Sequence, residues 1–262
     1  MKNVEDTVIQ RYENDSWALA TESIAAEALV HLYVNERHVS TLLASPEHLE
    51  DLIIGHMATE YGFPHLKTDE IHQSSGEEGF SATLQTTRTT DFESRSTIVT
   101  SSCGACDRNN LSSLIAQTPP VQSPEHVLVF EDIVTSLHEM RSHQAGFEAT
   151  GGMHAAGLLM NETGELLVRE DIGRHNAVDK VYGFWSKSTH SKPAALLLSG
   201  RCGWDIVAKA ASMGTPVIAS YGAASTLAAE TARVANITLI SFVRDGKAVV
   251  IGPVDGRFQR KH

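Results

Sequence analysis

The chain has 262 residues, 42% of them apolar, and a formal net charge of −11. That apolar share supports a packed interior and excludes a disordered chain, and the length asks for one large or two modest domains. The acidic balance argues against nucleic acid as a partner. No apolar run is long enough to span a bilayer, and Met1-Lys2-Asn3-Val4-Glu5-Asp6 lacks the apolar core of a secretion signal, so a cytoplasmic protein that binds no membrane is expected.

Residues 1 to about 25 carry no clear period and are expected to form an arm or an irregular strand. Leu29 to Val34 alternates, with Val30, Leu32 and Val34 on one side. Asn35-Glu36-Arg37 reads as a turn into a second strand ending at Leu43. Ser45-Pro46-Glu47 predicts a helix start, with serine as cap, proline at the first helical position and an acid in the first turn. Leu49, Leu52, Ile53, His56 and Met57 give that helix one apolar face, and Gly62 is placed to end it. Asp69 to Gly79 reads as loop, Phe80, Ala82 and Leu84 as a strand, and Thr97 to Thr100 as another that delivers the chain to Cys103. The small polar residues around Cys103-Gly104-Ala105-Cys106 predict a mobile loop. Beyond Pro119-Pro120 and Pro124, Phe130, Ile133, Val134, Leu137 and Arg141 recur at helical spacing. Gln144-Ala145-Gly146 marks a boundary, dividing the chain into 1–143 and 144–262.

The second part reads as strand, helix, strand, helix, strand. A hairpin turns around Asn161 to Gly164. A helix follows with Asn176 as cap. Ala194 to Leu198 is a continuous apolar run like a strand buried on both faces. Asp205 to Met213 is a helix, Pro216 to Ser220 a strand, Ser225 to Val234 a helix and Ile237 to Val243 a strand. Such an order implies a parallel sheet with helices packed on it, and hence an α/β fold, α+β overall.

Two stretches concentrate chemistry. Cys103 and Cys106 form a C-x-x-C, and Cys202 stands alone, too few sulfurs for a disulfide framework or a zinc ribbon. A paired thiol in a polar loop suits a carrier of sulfur or electrons. The other stretch runs from Gly151-Gly152-Met153-His154 to Arg169-Glu170-Asp171-Ile172-Gly173-Arg174-His175-Asn176-Ala177-Val178-Asp179-Lys180. Most of its charged members are expected to be ion-paired scaffold. Ser199-Gly200-Arg201 and Ser220-Tyr221-Gly222 lie at the carboxyl ends of two predicted strands, where open α/β sheets take ligands. Glycines at 151, 152, 200 and 222 let a ligand approach the backbone, and Arg201, Arg244 and Lys247 could hold a pyrophosphate.

Together these segments resemble the FdhD family of sulfur-carrying accessory proteins of formate dehydrogenase. The likeness rests on Thr150 to Ala156, Arg169 to Lys180, Leu198 to Arg201, Lys209-Ala210 and Phe242-Val243-Arg244, with the cysteine pair at the family's C-x-x-C position. The resemblance implies that sulfur is accepted from a cysteine desulfurase and passed to the molybdenum or tungsten bis-molybdopterin guanine dinucleotide cofactor for formate dehydrogenase. It implies a homodimer and a cytidine-deaminase-like C-terminal domain beside a smaller N-terminal α+β subdomain. It makes Cys103 the persulfide carrier with Cys106 as its partner, and Phe242, Val243, Arg244, Asp245, Gly246 and Lys247 the cofactor-binding segment, to which Gly151, Gly152, His154, Ser199, Gly200, Arg201 and Ser220 are joined by their position. The zinc deaminases' ligand set would fall on His154-Ala155-Ala156 and Ser199 to Gly203. Its glutamate and second cysteine are missing, so no structural metal is expected. A cofactor-binding chaperone without covalent chemistry is the other reading, and a thiol–disulfide oxidoreductase a third.

Overall fold

The computed structural model describes residues 3–63, 69–88, 98–99, 115–124, 127–187 and 191–259. It has a mixed α/β fold, with a small N-terminal β subdomain and a larger mixed sheet formed by the C-terminal part.

The chain opens on a regular hairpin rather than an irregular arm. Strands β1 (Val4–Glu13) and β2 (Ser16–Ala25) pair along their whole length. Asn14 and Asp15 turn the chain with φ of 49° and 60°, the left-handed pair that a two-residue hairpin requires and that Asn and Asp tolerate. The apolar alternation is hard to read because its outward face stays open: Val8 and Leu19 are exposed.

Strands β3 (Ala28–Val34), β4 (Arg37–Ala44), β5 (Glu70–Gly76), β6 (Gly79–Gln85) and β7 (Ile98–Val99) form a five-stranded sheet in the order β5-β6-β3-β4-β7. β5 replaces the loop expected before Phe80. As the alternation predicts, Val30, Leu32 and Val34 point inward with Leu42, Ala82 and Leu84, against helix α1 (Leu49–Tyr61). Gly62 ends α1 at φ 62°, but Ser45 does not begin it; His48 stands at the N-cap in the left-handed region. α1 is buried around most of its circumference, because its other side meets the second half of the chain.

That half forms a six-stranded sheet, β13-β12-β11-β10-β8-β9. Its strands are β8 (His154–Met160), β9 (Leu166–Asp171), β10 (Pro193–Leu198), β11 (Val217–Ser220), β12 (Thr238–Arg244) and β13 (Lys247–Ile251). The expected parallel order holds for β10, β11 and β12, while β8 and β13 flank them antiparallel. Helix α2 (Phe130–Ser142) packs Ile133, Leu137 and Met140 on one face with Ala195, Leu197 and Ile240. Helices α4 (Arg174–Ser186), α5 (Trp204–Ser212) and α6 (Thr226–Val234) pack on the other with Leu196, Leu198, Ile218 and Leu239. β10 is apolar at every position because both faces are covered. Between α2 and β8 lies a short helix α3 (Ala145–Thr150), where the sequence suggested a boundary. Among the described residues no helix is long and apolar enough to cross a membrane.

Candidate functional site

The charged run from Arg169 to Lys180 is a junction. Asp171, fully buried, takes Lys180 Nζ at 2.6 Å, the Ser45 amide at 3.1 Å and Asn176 Nδ2 at 3.0 Å. Lys180 and Asn176 also donate to the carbonyls of Ser45 and Leu43, so β9 and α4 are tied to the end of β4. Ser45, the predicted cap, is spent here: its hydroxyl accepts from the Ile172 amide at 3.0 Å. Asn176, the other predicted cap, lies inside α4, whose N-cap is Gly173. Arg169 pairs with Asp51 at 2.7 Å and lies over the Phe184 ring at 3.5 Å. Glu170 closes the start of α3, accepting from Gly146 and Phe147 at 2.8 Å each. Asp179 meets Lys209 at 2.7 Å, Thr59 at 2.7 Å and His56 at 3.1 Å, all buried. The scaffold reading of these charges therefore holds, and it joins them to Leu43, Ser45, Asp51, His56 and Thr59 in the other half of the chain.

The ends of β10 and β11 meet, as expected of neighbouring parallel strands. Gly222 packs so closely on Gly200 that a methyl there would lie 2.7 Å from the Gly200 carbonyl. Ser220 is fully buried; its hydroxyl donates to the Gly200 carbonyl and accepts from the Gly222 amide. It therefore holds two loops together. The Phe242 amide donates to the Gly222 carbonyl at 3.1 Å, and Arg244 Nη1 to the Tyr221 carbonyl at 3.0 Å, which brings the β12 end alongside. Phe242 is 50% exposed at φ 53°, a strained setting for an aromatic residue, whereas Val243 is buried in the core. Arg244, Asp245, Gly246 and Lys247 are exposed around the β12–β13 turn.

Beside this edge is a cavity of about 260 Å³ lined by Arg141, Gln144, Phe147, Gly151, Gly152, Met153, His154, Ser199 and Tyr221. It collects Gly151, Gly152, His154 and Ser199 from the predicted set. Gly200, through which Arg201 is reached, abuts it, since a methyl there would lie 3.0 Å from His154 Nδ1. Ser199 Oγ accepts from the Ala155 amide at 2.9 Å, leaving its proton to donate elsewhere. Burial, followed by the charges of Arg174, His175 and Arg201, lowers the His154 pKa, so its ring is neutral at pH 7. Arg141 lies over the Phe147 ring at 3.9 Å. The cavity is thus rich in hydrogen-bond donors and bordered by aromatic faces.

Gln144 and Arg141 are the residues that sequence reading passes over. Gln144 is 2% exposed, and its Nε2 has no hydrogen-bond partner among the described residues. Leaving such a donor unpaired costs about 1–3 kcal/mol. A signal was present: Leu137, Met140 and Gln144 share the inward stripe of α2 and its extension, so a polar residue continues an apolar row.

A larger cavity, about 700 Å³, borders β9 between Asn3, Glu47, His48, Arg169, Glu170 and Phe184. Arg169 and Glu170 there are already committed to the junction, so we assign the site to the smaller cavity. Cys202 packs in the core, where burial and then Asp205 push its thiol far up, out of reach of reactive chemistry. Asp205 pairs with His175, with Arg174 at 3.9 Å. Among the described residues no group of His, Cys, Asp or Glu could hold a metal ion. Cys103 and Cys106 lie outside the described residues.

The FdhD/NarQ family profile matches residues 25–253. The sulfur carrier protein FdhD of Sulfolobus acidocaldarius is 31% identical over 240 residues, covering 90% of this chain and 91% of that one. Its namesake from Anaeromyxobacter dehalogenans is 32% identical over 243 residues, covering 85% and 84%. A crystal structure described as that of a candidate formate dehydrogenase accessory protein from Desulfotalea psychrophila shares the fold. Its TM-score is 0.76 at 20% identity, covering 98% of this chain and all of that one. With the profile spanning both sheets and every residue that lines the site, the chain belongs to the FdhD/NarQ family.

Proposed function

We propose that this protein is a sulfur carrier for formate dehydrogenase, with Cys103 as the carrying thiol. Family membership over nearly the whole chain carries the reading, and the sequence supplies the paired cysteines that the role needs. The Cys103 thiolate attacks the outer sulfur of a desulfurase persulfide. The desulfurase thiolate leaves, and the sulfur stays on Cys103 without net oxidation. Cys106 resolves that persulfide: its thiolate attacks the inner sulfur, and the outer sulfur leaves as sulfide to the molybdenum or tungsten bis-molybdopterin guanine dinucleotide, which is cargo. The Cys103–Cys106 disulfide left behind is reopened by a thiol reductant. We place this work in the cytoplasm and in a homodimer, and read the six-stranded sheet with its helices as related to the cytidine deaminases. The convergence of His154 and Gly200, where a deaminase would hold zinc, supports that kinship.

After incubation with a cysteine desulfurase and cysteine, Cys103 is expected to gain about 32 Da, the mass of one sulfur atom. Cys103→Ala should remove the adduct and fail to restore formate dehydrogenase in a strain lacking its own accessory protein. Full rescue by Cys103→Ala would instead favour the non-covalent chaperone.

The loop edge where Gly200, Gly222 and Arg244 meet is suited to a pyrophosphate, with Arg201 and Lys247 adding charge to an acidic chain. GDP is expected to bind, and Arg201→Ala or Arg244→Ala to weaken it by about 1.5–3 kcal/mol, the worth of a charge-assisted hydrogen bond. Calorimetry measures this directly; unchanged affinity in both variants would move the phosphates elsewhere.

A further inference from the structure

We propose that the outer edge of β9 is a docking groove, and that an extended segment of a partner protein, apolar and basic at alternate positions, adds there as a seventh strand of the six-stranded sheet. β9 ends the sheet, with β8 its one strand neighbour among the described residues. The Met160 amide donates to the Glu165 carbonyl at 2.9 Å, which fixes the alternation: residues 165, 167 and 169 turn their backbone groups to β8. Leu166, Val168 and Glu170 therefore turn theirs away from the sheet. Arg169 Nη1, donating to the Val168 carbonyl at 2.9 Å, marks that direction. Among the described residues nothing accepts from the three outward N–H groups. Folds usually blunt such an edge with a lysine, a proline or a bulge. Here the strand begins Leu166-Leu167-Val168 and pairs with β8 without a break.

The cavity of about 700 Å³ lies along this edge and is lined by all of Glu165 to Glu170. Such a stretch of strand runs about 20 Å, an ordinary strand length. Asn3 and Glu47, joined by a 3.2 Å hydrogen bond, border the groove, and so do His143 and Gly146 from the α2–α3 corner. These borders admit a single extended chain, whereas a second copy of this protein would have to bring a whole sheet edge between them. The side chains choose the occupant. Leu166 and Val168 are half-buried on the α2 face of the sheet, where the added strand would set apolar groups beside them. Glu47, Glu165 and Glu170 bring three carboxylates to the groove against one guanidinium, that of Arg169, already paired with Asp51 at 2.7 Å. Lysine or arginine at alternate positions complements that excess. Main-chain hydrogen bonds to the edge hold such a segment, and these side chains select it. The groove shares no lining residue with the smaller cavity, and its use does not depend on which thiol carries sulfur.

The test follows the full chain at about pH 8, where unperturbed imidazoles are neutral, by fluorescence anisotropy and backbone amide exchange. The probe is the end-blocked hexapeptide Lys-Val-Lys-Val-Lys-Val, and its acidic counterpart carries glutamate in place of lysine. The basic peptide should bind at least about tenfold tighter than the acidic one, the sum of a few charge contacts. On binding, exchange at the amides of Leu166, Val168 and Glu170 should slow at least about tenfold, while Leu167 and Arg169, already bonded to β8, should not change. Val168→Pro deletes the central outward donor and keeps the bonds to β8, so it should weaken the basic peptide at least about tenfold. Should that variant fail to fold, the exchange pattern of the wild type decides by itself. Equal binding of the two peptides, no binding of the basic one at millimolar concentration, or binding that leaves the three outward amides unprotected would each overturn the assignment. Protection of those amides that grows with protein concentration in the absence of peptide would overturn it too, by giving the edge to a second copy of this chain. A Cys103 persulfide observed alongside any of these results would leave the carrier reading standing.

Discussion

Replacing Gly183 with alanine is expected to destabilise the protein by about 3 kcal/mol or more, the upper range for forcing atoms into a filled interior. α1 and α4 cross at Gly55 and Gly183 with their backbones in contact. A methyl on Gly183 would lie 1.8 Å from the Asp51 carbonyl oxygen, and one on Gly55 1.7 Å from that of Asp179. The obstacle is backbone on a second helix, so no rotamer change relieves it and the helices must separate. Separation would also stretch the Asp51–Arg169 pair and the Asp179–Thr59 hydrogen bond that flank the crossing. Gly76→Ala, with nothing within 4 Å, is the control and should change stability by less than about 0.5 kcal/mol. Urea unfolding of the three proteins at equal concentration measures the difference. A Gly183→Ala protein as stable as the control would mean that the two halves are not pressed together at this crossing.

Lys209→Met is expected to cost about 3–5 kcal/mol at neutral pH and to invert the acid limb of the stability curve. In the native protein burial alone would raise the Asp179 pKa. The charge of Lys209, with the hydrogen bond and charge of His56, overcomes it and holds the carboxyl at about 2, against an ordinary 3.8. Glu60, 2.6 Å from the same ammonium, is lowered against its own burial in the same way. A carboxyl whose folded pKa is depressed stabilises the protein above its unfolded value. That contribution is lost as pH falls through about 4 towards 2. Without the ammonium, desolvation governs both carboxyls, their folded pKa values rise above the unfolded ones, and the folded state takes up protons. Stability of Lys209→Met should therefore increase as pH falls from 7 towards 5, where the native protein shows no such gain from these groups. Denaturant titrations across that range decide it; parallel curves for the two proteins would mean that Lys209 is not what keeps these carboxyls ionised.

The alternation of Val30, Leu32 and Val34, the continuous run Ala194 to Leu198, and the Gly62 and Ser225 helix signals each report a local physical preference, and each appears where the sequence placed it. The hairpin of β1 and β2 was illegible because its apolar positions face outward and an Asn-Asp turn is a weaker mark than Asn-Gly. Ser45 and Asn176 misled as caps for a different reason. Both carry the groups a cap needs, and the tertiary structure uses those groups across the junction instead.

The same division governs the site. The amino-acid sequence by itself determined the parallel strands that bring Ser199-Gly200 beside Ser220-Tyr221-Gly222, and the family, because each follows from residue types at short spacing, whereas the burial that keeps Cys202 from chemistry is a property of the packed core. Which charges are mortar and which are free was decided only by the tertiary structure. Asp171, Asp179 and Lys180 find partners more than a hundred residues away, in Ser45, His56 and Thr59. The roles of Gly55 and Gly183 were likewise hidden, since a glycine inside a helix announces a close approach but not what approaches. Gln144 became informative only when its neighbours left its amide unpaired, for hydrogen bonding is a property of the packed interior and is written in no single stretch of the chain.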